Sequence, residues 1–316
     1  MPFWITKDTP DKERIIREVL LFWNPSLELT EITFLPAGSN SAVFRGNSFI
    51  FRFPLTQSSF HAMKRDSLIS ELLHTHGSLE VRSKTAPVFI VDSEEKRFPY
   101  FIKFSYHKYI NGKIMDNRRG KTDFSVCYFH LSRKQQERLA EKIAQFLADL
   151  HSIPQNVFQT VLPALTDQNW DFTKRIDEKL SRRLLLEATS GQLDLKEFKT
   201  ECAQDFVFCH NDLSGSNLLI DLKKKDILQG IIDFGAAGIF PKTNEFVPFY
   251  KVGRHFARQI VKAYNTVSQM PVRIREIDYK FLCFIGFLLE QQKKPSDFIT
   301  ALIKNFIEDY FETQRT

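Results

Sequence analysis

Asp212, Asn217 and Asp233 have the side-chain types and the spacing that phosphoryl transfer requires. Asp212 and Asn217 lie five residues apart in a short polar segment with apolar residues on both sides, and Asp233 ends another apolar run. A carboxylate can orient an attacking hydroxyl group, and oxygen ligands can hold Mg²⁺ against the phosphates of a nucleotide. The pattern therefore predicts a phosphoryl-transfer site built on these three residues.

Each of these residues, considered alone, has a simpler explanation. An Asp or Asn in a loop is commonly a turn former or a helix cap, and a single His210 is more often structural. Turns and caps give no reason for both spacings to follow apolar, strand-like runs. The joint pattern therefore favours a chemical role for the set.

The same residues resemble known kinase signatures. His210, Asp212 and Asn217 fit the pattern H-x-D-x-x-x-x-N, and Asp233-Phe-Gly fits the D-F-G sequence. Together with the segment Phe146–Pro154, they resemble the aminoglycoside phosphotransferase family, which consists of small-molecule kinases with a protein-kinase-like fold. The resemblance extends over most of the chain.

The resemblance implies a role for each matching residue. Asp212 would be the catalytic base or would orient the hydroxyl group, Asn217 and Asp233 would bind Mg²⁺, and His210 would support the loop by hydrogen bonding. The phosphoryl donor would be ATP or GTP, and the acceptor would be a hydroxyl group of a small molecule. The sequence does not distinguish ATP from GTP.

A turn near the N-terminus is a candidate for covering the nucleotide phosphates. Gly38, Ser39, Asn40 and Ser41 lie between two predicted strands, where the backbone amides of small residues can face phosphate oxygens. Because this turn contains one glycine, a plain β-hairpin turn is the alternative.

Arg52 takes the position of the family's phosphate-contacting lysine. Arginine keeps the positive charge but presents a planar fork of donors instead of a single ammonium group. The following helix should supply a carboxylate partner, and Asp66 fits the separation better than Glu71. The alternative is a surface helix with solvated charges.

Periodicity of the apolar residues predicts an α+β fold with an N-terminal antiparallel sheet and a mainly helical remainder, and the family resemblance implies that this is a two-lobed, protein-kinase-like fold. Residues 1–106 would form a nucleotide-binding lobe with an antiparallel sheet and a helix, and residues 113–316 a larger, mainly helical lobe with the catalytic and substrate-binding residues. By the same resemblance, residues 107–112 would be the linker between the lobes, and the backbone of Lys108 and Tyr109 would bind the purine. The predicted helices are Asp11–Phe22, Phe60–His74 and Arg133–His151, and the strand-like runs are Glu31–Pro36, Ala42–Arg45, Ser48–Phe53, Pro87–Val91, Tyr100–Tyr106, Phe206–Cys209, Leu218–Ile220 and Gly230–Ile232.

Composition and charge argue against several other classes of protein. The longest apolar stretch, Phe281–Leu289, is shorter than the roughly 18 residues that cross a membrane, and the charged first residues do not resemble a secretory signal. We therefore expect a cytoplasmic protein without a membrane partner. The net charge of +6 is spread along the chain, so no nucleic-acid partner is expected. The four cysteines contain no C-x-x-C pair and are expected to be reduced core thiols.

The C-terminal region bears on the identity of the acceptor. By resemblance, polycationic antibiotics would be held by clustered acids, yet Phe246–Thr316 contains eleven Lys and Arg residues against seven acids. Three acids, Glu245, Glu276 and Asp278, could still converge locally, and Glu245 could also replace a structural aspartate of the family. An aminoglycoside-type antibiotic, and hence antibiotic resistance, is the first acceptor hypothesis.

Several other acceptors remain open at this point. Choline, ethanolamine, a macrolide or a sugar would need the same fold and the same chemistry. A protein acceptor is disfavoured, because no A-P-E sequence follows Asp233 to anchor an activation segment. The alternative outside the enzymes is an inactive nucleotide-binding module that keeps the fold.

Overall fold

The computed structural model describes residues 5, 9–27, 32–35, 41–46, 48–93, 102–116, 125–127, 130–159, 178–198, 205–292 and 296–314. The chain forms two compact units. The first unit contains Met1–Thr75, Thr85–Asn111 and Asp233–Gly235, and the second contains His76–Lys84, Gly112–Ile232 and Ala236–Thr316. The lobe boundaries predicted at residues 107–112 stay a prediction.

The first unit is built on a five-stranded antiparallel sheet, as the sequence predicts. The strand order is β1-β2-β3-β5-β4, and each strand pairs antiparallel with its neighbours. The elements are α1 (Lys12–Trp23), β1 (Ile32–Leu35), β2 (Ser41–Gly46), β3 (Phe49–Pro54), α2 (Gln57–His76), β4 (Phe89–Ser93) and β5 (Ile102–Lys108). This arrangement confirms the α+β class and the N-terminal sheet with its helix.

The core of the first unit is formed by one face of α1 and by aromatic side chains of the sheet. In β3, Phe51 and Phe53 are each 1% exposed and contact Phe44 and Phe104 of the neighbouring strands. Because side chains alternate along a strand, Arg52 points to the face opposite these phenylalanines. The strand therefore buries its apolar residues and directs one cation away from the core.

The second unit is mainly helical, which confirms the predicted character of the C-terminal lobe. Helix α4 begins with a capping box, in which Ser132 and Gln135 satisfy each other's backbone amides, and it has the predicted bounds. The helices are α3 (Leu79–Lys84), α4 (Arg133–His151), α5 (Asn156–Gln159), α6 (Glu178–Ala188), α7 (Leu195–Phe198), α8 (Arg254–Val267), α9 (Ile274–Gln291) and α10 (Asp297–Gln314). The strands are β6 (Lys113–Asp116), β7 (Ser125–Cys127), β8 (Phe206–Cys209), β9 (Leu218–Ile220), β10 (Leu228–Ile231) and β11 (Gly238–Pro241).

The polar segment after Asn111 contains two strands that the sequence did not predict. β6 pairs antiparallel with β9 and parallel with β7, which gives a sheet of order β10-β9-β6-β7. A Cβ atom on Gly215 would lie only 2.4 Å from the carbonyl oxygen of Met115 in β6. Glycine is therefore required where the loop before β9 meets β6.

Two further expectations from the sequence concern cysteines and membrane spans. Cys209 and Cys283 are buried free thiols, and burial raises the pKa of Cys209 well above its usual range, with a further increase from Glu245. Cys127 and Cys202 have side chains outside the described residues. Among the helices that the structure describes, none is long and apolar enough to cross a membrane.

Candidate active site

The residues from His210 to Asn217 form a tight loop between β8 and β9. Asn211 has a φ of 63°, a left-handed conformation that is uncommon for residues other than glycine and is best tolerated by Asn and Asp. Gly215–Asn217 form one 3₁₀ turn that leads into β9. The Asp212 side chain stays 46% exposed. The loop therefore presents a carboxylate to solvent from a constrained backbone.

His210 anchors this loop through both nitrogens of its imidazole ring. The residue is fully buried, its Nε2 lies 3.0 Å from the carbonyl oxygen of Ile232, and the backbone N–H of Asp212 lies 3.3 Å from Nδ1. A carbonyl oxygen only accepts and an amide N–H only donates, so Nε2 carries the hydrogen and Nδ1 accepts. This geometry fits the supporting role that the resemblance implies for His210.

Asn217 is bonded to Asp212 within the same loop. Its Nδ2 donates to the carbonyl oxygen of Asp212 at 2.8 Å and lies 3.4 Å from Asp212 Oδ2. Because the nitrogen and oxygen of a carboxamide point in different directions, these contacts turn Asn217 Oδ1 away from Asp212. The structure thus brings Asp212 and Asn217 together, and Asn217 Oδ1 does not face Asp212.

Glu245 binds the backbone of the loop through its carboxylate. It lies in the 3₁₀ segment Lys242–Lys251 and is fully buried. Its Oε2 accepts from the backbone N–H of His210 at 2.5 Å, and its Oε1 accepts from that of Asn211 at 3.3 Å. Glu245 therefore has a structural position, bound to the backbone of the loop. That it replaces an aspartate of the family stays a prediction.

Replacing Glu245 by glutamine should destabilise the protein and slow turnover. A carboxylate accepts from two backbone amides, whereas the glutamine NH₂ group would face one of these N–H donors and leave it unsatisfied. We expect the free energy of unfolding to fall by about 1–3 kcal/mol and kcat to fall by about tenfold. Urea denaturation and steady-state kinetics measure the two effects.

The control for this substitution is Glu308→Gln on α10, because the Glu308 side chain is 58% exposed. It removes the same charge at the surface, where the effect on stability should stay within about 0.5 kcal/mol. Equal stability and equal kcat for Glu245→Gln and the native protein would show that the loop does not depend on this carboxylate.

Lys251 is a site residue that the sequence analysis missed. Its Nζ lies 3.6 Å from Asp212 Oδ1, and its side chain is 34% exposed. It follows Asp212 by 39 residues and belongs to no recognisable motif, so the sequence alone counts it only among the C-terminal cations. Its position depends on how the segment Lys242–Lys251 folds back to the loop.

In the first unit, Arg52 joins two carboxylates. Its Nη1 donates to Asp66 Oδ2 at 2.8 Å, and its Nη2 donates to Asp233 Oδ1 at 3.1 Å. Burial by itself would lower the pKa of the guanidinium, but the charges of Asp233 and Asp66 outweigh this effect and raise it. Of the two candidate partners on α2, Asp66 contacts Arg52, while Glu71 is exposed.

Asp66 also fixes the backbone that follows Asp233. Its Oδ1 accepts from the backbone N–H of Phe234 at 2.9 Å, and its side chain is only 2% exposed. Asp233 has a φ of 68°, in the left-handed region, while its side chain is 43% exposed. Strained backbone of this kind persists only where neighbouring groups hold it, and it is frequent at functional sites.

The predicted purine-binding segment begins at the end of β5. Lys108 is the last residue of β5, and the backbone N–H of Tyr109 donates to the carbonyl oxygen of Ser48 at 2.7 Å. The amide of Tyr109 is therefore already used within the first unit. The guanidinium carbon of Arg45 lies 4.0 Å from the centre of the Tyr109 ring, which fixes this side chain as well. Backbone contacts to a purine stay a prediction.

His107 gives the first unit a pH-dependent stability. Burial lowers the pKa of this imidazole from 6.5 to about 4. The unfolded chain therefore binds a proton below pH 6.5 that the folded state binds only near pH 4. We expect the free energy of unfolding to decrease as the pH falls through this window, by up to about 3 kcal/mol.

Urea denaturation between pH 7.5 and 4 tests this dependence, with His107→Gln as the variant. The variant should lose less stability than the native protein over this range. His61→Gln, which removes an exposed imidazole from α2, is the matched control. An acid-side slope that is equal in His107→Gln and the native protein would contradict the role given to His107.

The predicted phosphate-covering turn lies mostly outside the described residues. This applies to Gly38, Ser39 and Asn40. Ser41 is described as the first residue of β2, where it pairs with Pro54. A role of these four residues in nucleotide binding stays a prediction.

Comparison with known families decides the family of this chain. A model described as the phosphotransferase enzyme family, abbreviated APH, matches residues 31–277, which is more than three quarters of the 316 residues. The chain belongs to the APH phosphotransferase family. The match contains Arg52, Asp66, Asp212, Asn217 and Asp233, and the resemblance inferred from the sequence is confirmed. A search of curated protein sequences gives no match.

Solved structures of aminoglycoside and macrolide phosphotransferases share this fold over nearly the whole chain. The GDP complex of aminoglycoside 2'-phosphotransferase-IIIa is 17% identical, with a TM-score of 0.65 over 96% of this chain and 100% of that chain. A ternary complex of APH(2")-IIa with streptomycin and ATP is 20% identical, with a TM-score of 0.58 over 87% and 91%. Macrolide 2'-phosphotransferase type I is 13% identical, with a TM-score of 0.54 over 95% and 97%. At these identities the likeness shows the fold alone.

Proposed function

We propose that this APH-family phosphotransferase transfers the γ-phosphate of ATP or GTP to a hydroxyl group of a small molecule. The observation that carries the proposal is the loop around Asp212. His210, Asn217 and Glu245 hold its backbone by hydrogen bonds, while the Asp212 carboxylate stays accessible. A fixed backbone with an exposed carboxylate suits a residue that orients an acceptor.

In the proposed reaction, Asp212 aligns the acceptor hydroxyl group and accepts its proton. The hydroxyl oxygen forms a bond to the γ-phosphorus, and the bond from that phosphorus to the bridging oxygen of the nucleoside diphosphate breaks. The proton then passes to solvent. Catalysis of this kind depends mainly on positioning and electrostatic stabilisation.

The residues proposed as metal ligands suit Mg²⁺ by their chemistry. Asn217 offers an amide oxygen turned away from Asp212, and Asp233 offers a carboxylate. Both are hard oxygen donors, which Mg²⁺ prefers over nitrogen and sulfur. When bound, the ion would neutralise charge on the nucleotide phosphates.

Arg52 is the proposed phosphate contact of the first unit. Its guanidinium is held by Asp66 and keeps several N–H donors in one plane, which suits phosphate oxygens. The solved relatives include GDP, ADP and ATP complexes, which supports a nucleotide as the donor.

By family resemblance, an aminoglycoside-type antibiotic is the first class of acceptor to test. Structures of relatives with kanamycin, gentamicin and streptomycin support testing aminoglycosides as acceptors. The macrolide phosphotransferase supports testing macrolides as a second class of acceptor. Choline, ethanolamine and sugars are the other acceptors to test. If an antibiotic is phosphorylated, the protein would confer resistance in the cytoplasm, where nucleotides and Mg²⁺ are available.

The proposal is tested by release of nucleoside diphosphate from ATP and from GTP with Mg²⁺, across this set of acceptors. The Asp212→Ala protein measures the background. Acceptor-dependent release that disappears in the variant is the expected result. Absence of nucleotide binding in a thermal-shift assay would instead favour an inactive module of the same fold.

A further inference from the structure

The cation beside Asp212 is built into the second unit. Lys251 ends the segment Lys242–Lys251, and its neighbours Tyr250 and Val252 are 3% and 1% exposed. The hydroxyl group of Tyr250 donates to Asp278 Oδ1 at 2.6 Å. The Tyr250 ring stacks on Phe281 with 4.6 Å between ring centres. The backbone of Lys251 is therefore held on both sides, and its side chain reaches Asp212 from a fixed point.

The acids that the sequence offered for a polycationic acceptor are not available at the surface. Glu245, Glu276 and Asp278 are 0%, 3% and 3% exposed. Glu245 accepts from the backbone of the loop around Asp212, as described above. Asp278 binds the guanidinium of Arg254 through both oxygens, at 2.9 Å and 2.7 Å. These carboxylates serve the interior of the second unit and leave no acidic cluster formed by the three.

The charge that faces the proposed catalytic carboxylate is therefore positive. Within the described residues, Lys251 is the one ion-pair partner of Asp212. The Asp212 carboxylate already balances the charge of Lys251. An ammonium group placed beside Lys251 would therefore meet a like charge at short range and would have to displace this ion pair to reach Asp212. A carboxylate or a phosphate on the acceptor would instead be attracted to Lys251.

From these observations we propose that the acceptor carries an acidic group, a carboxylate or a phosphate monoester, close to the hydroxyl group that is phosphorylated, and that Lys251 binds this group. The inference rests on the proposed phosphotransfer function and assigns its substrate class. It predicts that polycationic aminoglycosides, the class that family resemblance puts first for testing, are poorer acceptors than acidic small molecules. Lys251 is then the specificity-determining residue of the site.

The test follows transfer of labelled phosphate from the γ-position of ATP and GTP, with Mg²⁺, into small molecules extracted from bacterial cells and separated by charge at pH 7. Anionic, neutral and cationic pools are assayed separately, with kanamycin as a defined polycation. Glucose, glucosamine, glucuronate and glucose 6-phosphate form a matched series that separates carboxylate from phosphate. Labelled product in the anionic pool, at least tenfold above the cationic pool, is the expected result.

Two substitutions connect the preference to Lys251. Lys251→Gln should remove the preference for anionic acceptors, and Lys251→Glu should reverse it, each by about tenfold in kcat/KM. Lys262→Gln, which removes an exposed lysine from α8, is the matched control and should keep the native preference. Thermal unfolding of each variant shows whether the protein remains folded.

The outcomes separate this inference from the proposed function. Transfer mainly into kanamycin or the cationic pool would overturn the acidic acceptor while supporting the kinase. An equal loss of transfer to every acceptor and to water in Lys251→Gln would assign Lys251 to the transferred phosphoryl group and overturn its role in specificity. Transfer into no pool by protein that binds nucleotide would contradict the phosphotransfer function, and the inference with it.

Discussion

Replacing Asp212 by asparagine is expected to lower kcat by about 10² to 10⁴-fold while leaving the Kd for the Mg²⁺-nucleotide within about threefold of the native value. Asparagine keeps the shape of the side chain but does not accept the hydroxyl proton as a carboxylate does. The loop backbone should be retained, because its contacts use the carbonyl and the N–H of Asp212. Single-turnover kinetics with a saturating acceptor measure the loss, and titration calorimetry measures nucleotide binding.

The control for this prediction is Asp297→Asn at the exposed N-terminus of α10. It removes one negative charge from the same protein at a position with no proposed role in the reaction, and kcat should stay within about twofold. Native turnover by the Asp212→Asn protein, measured with a true acceptor, would exclude Asp212 as the catalytic residue.

Replacing Arg52 by methionine is expected to raise the KM for the Mg²⁺-nucleotide by at least tenfold and to lower the free energy of unfolding by about 3 kcal/mol. The variant loses the proposed phosphate contact. It also removes the guanidinium that pairs with Asp66, whose side chain is 2% exposed. Arg52→Lys should lose less, because it keeps the charge but lacks the planar fork that spans two carboxylates.

A double-mutant cycle separates the two effects of Arg52. Asp66→Asn removes the negative charge that Arg52 balances in the native protein. The Arg52→Met/Asp66→Asn protein should therefore regain part of the stability but none of the nucleotide affinity. Arg14→Met, at a side chain that is 65% exposed, is the control for loss of a surface arginine. A native KM in an unstable Arg52→Met protein would reduce Arg52 to a structural role.

The elements that the sequence predicts well are those whose signals are local. Helix α4 has a regular apolar face and ends shortly before Pro154, and its bounds were predicted to the residue. The strands around Asp212 are short, but polar residues of unusual type mark their ends. The family assignment also followed from short spacings, such as the five residues between Asp212 and Asn217.

The features that were not predicted depend on contacts between distant parts of the chain. β6 reads as polar sequence and becomes a strand because it pairs with β9, more than a hundred residues later. The position of Lys251 depends on the burial of the residues on either side of it, and no local sequence pattern predicts that burial. The contact of Arg52 with Asp233 likewise joins residues 181 positions apart. Such contacts follow from tertiary packing, which a single sequence does not display.

The close approach of Gly215 to Met115 imposes unequal constraints on two neighbouring positions. The atom that a Cβ on residue 215 would strike is a backbone oxygen, which every amino acid at position 115 possesses. In diverging descendants of this protein, position 115 should therefore admit other apolar side chains that fit the core. Position 215 should remain glycine for as long as β6 keeps its path. Because the clash is with a backbone atom, no side-chain change at position 115 can compensate for the loss of this glycine.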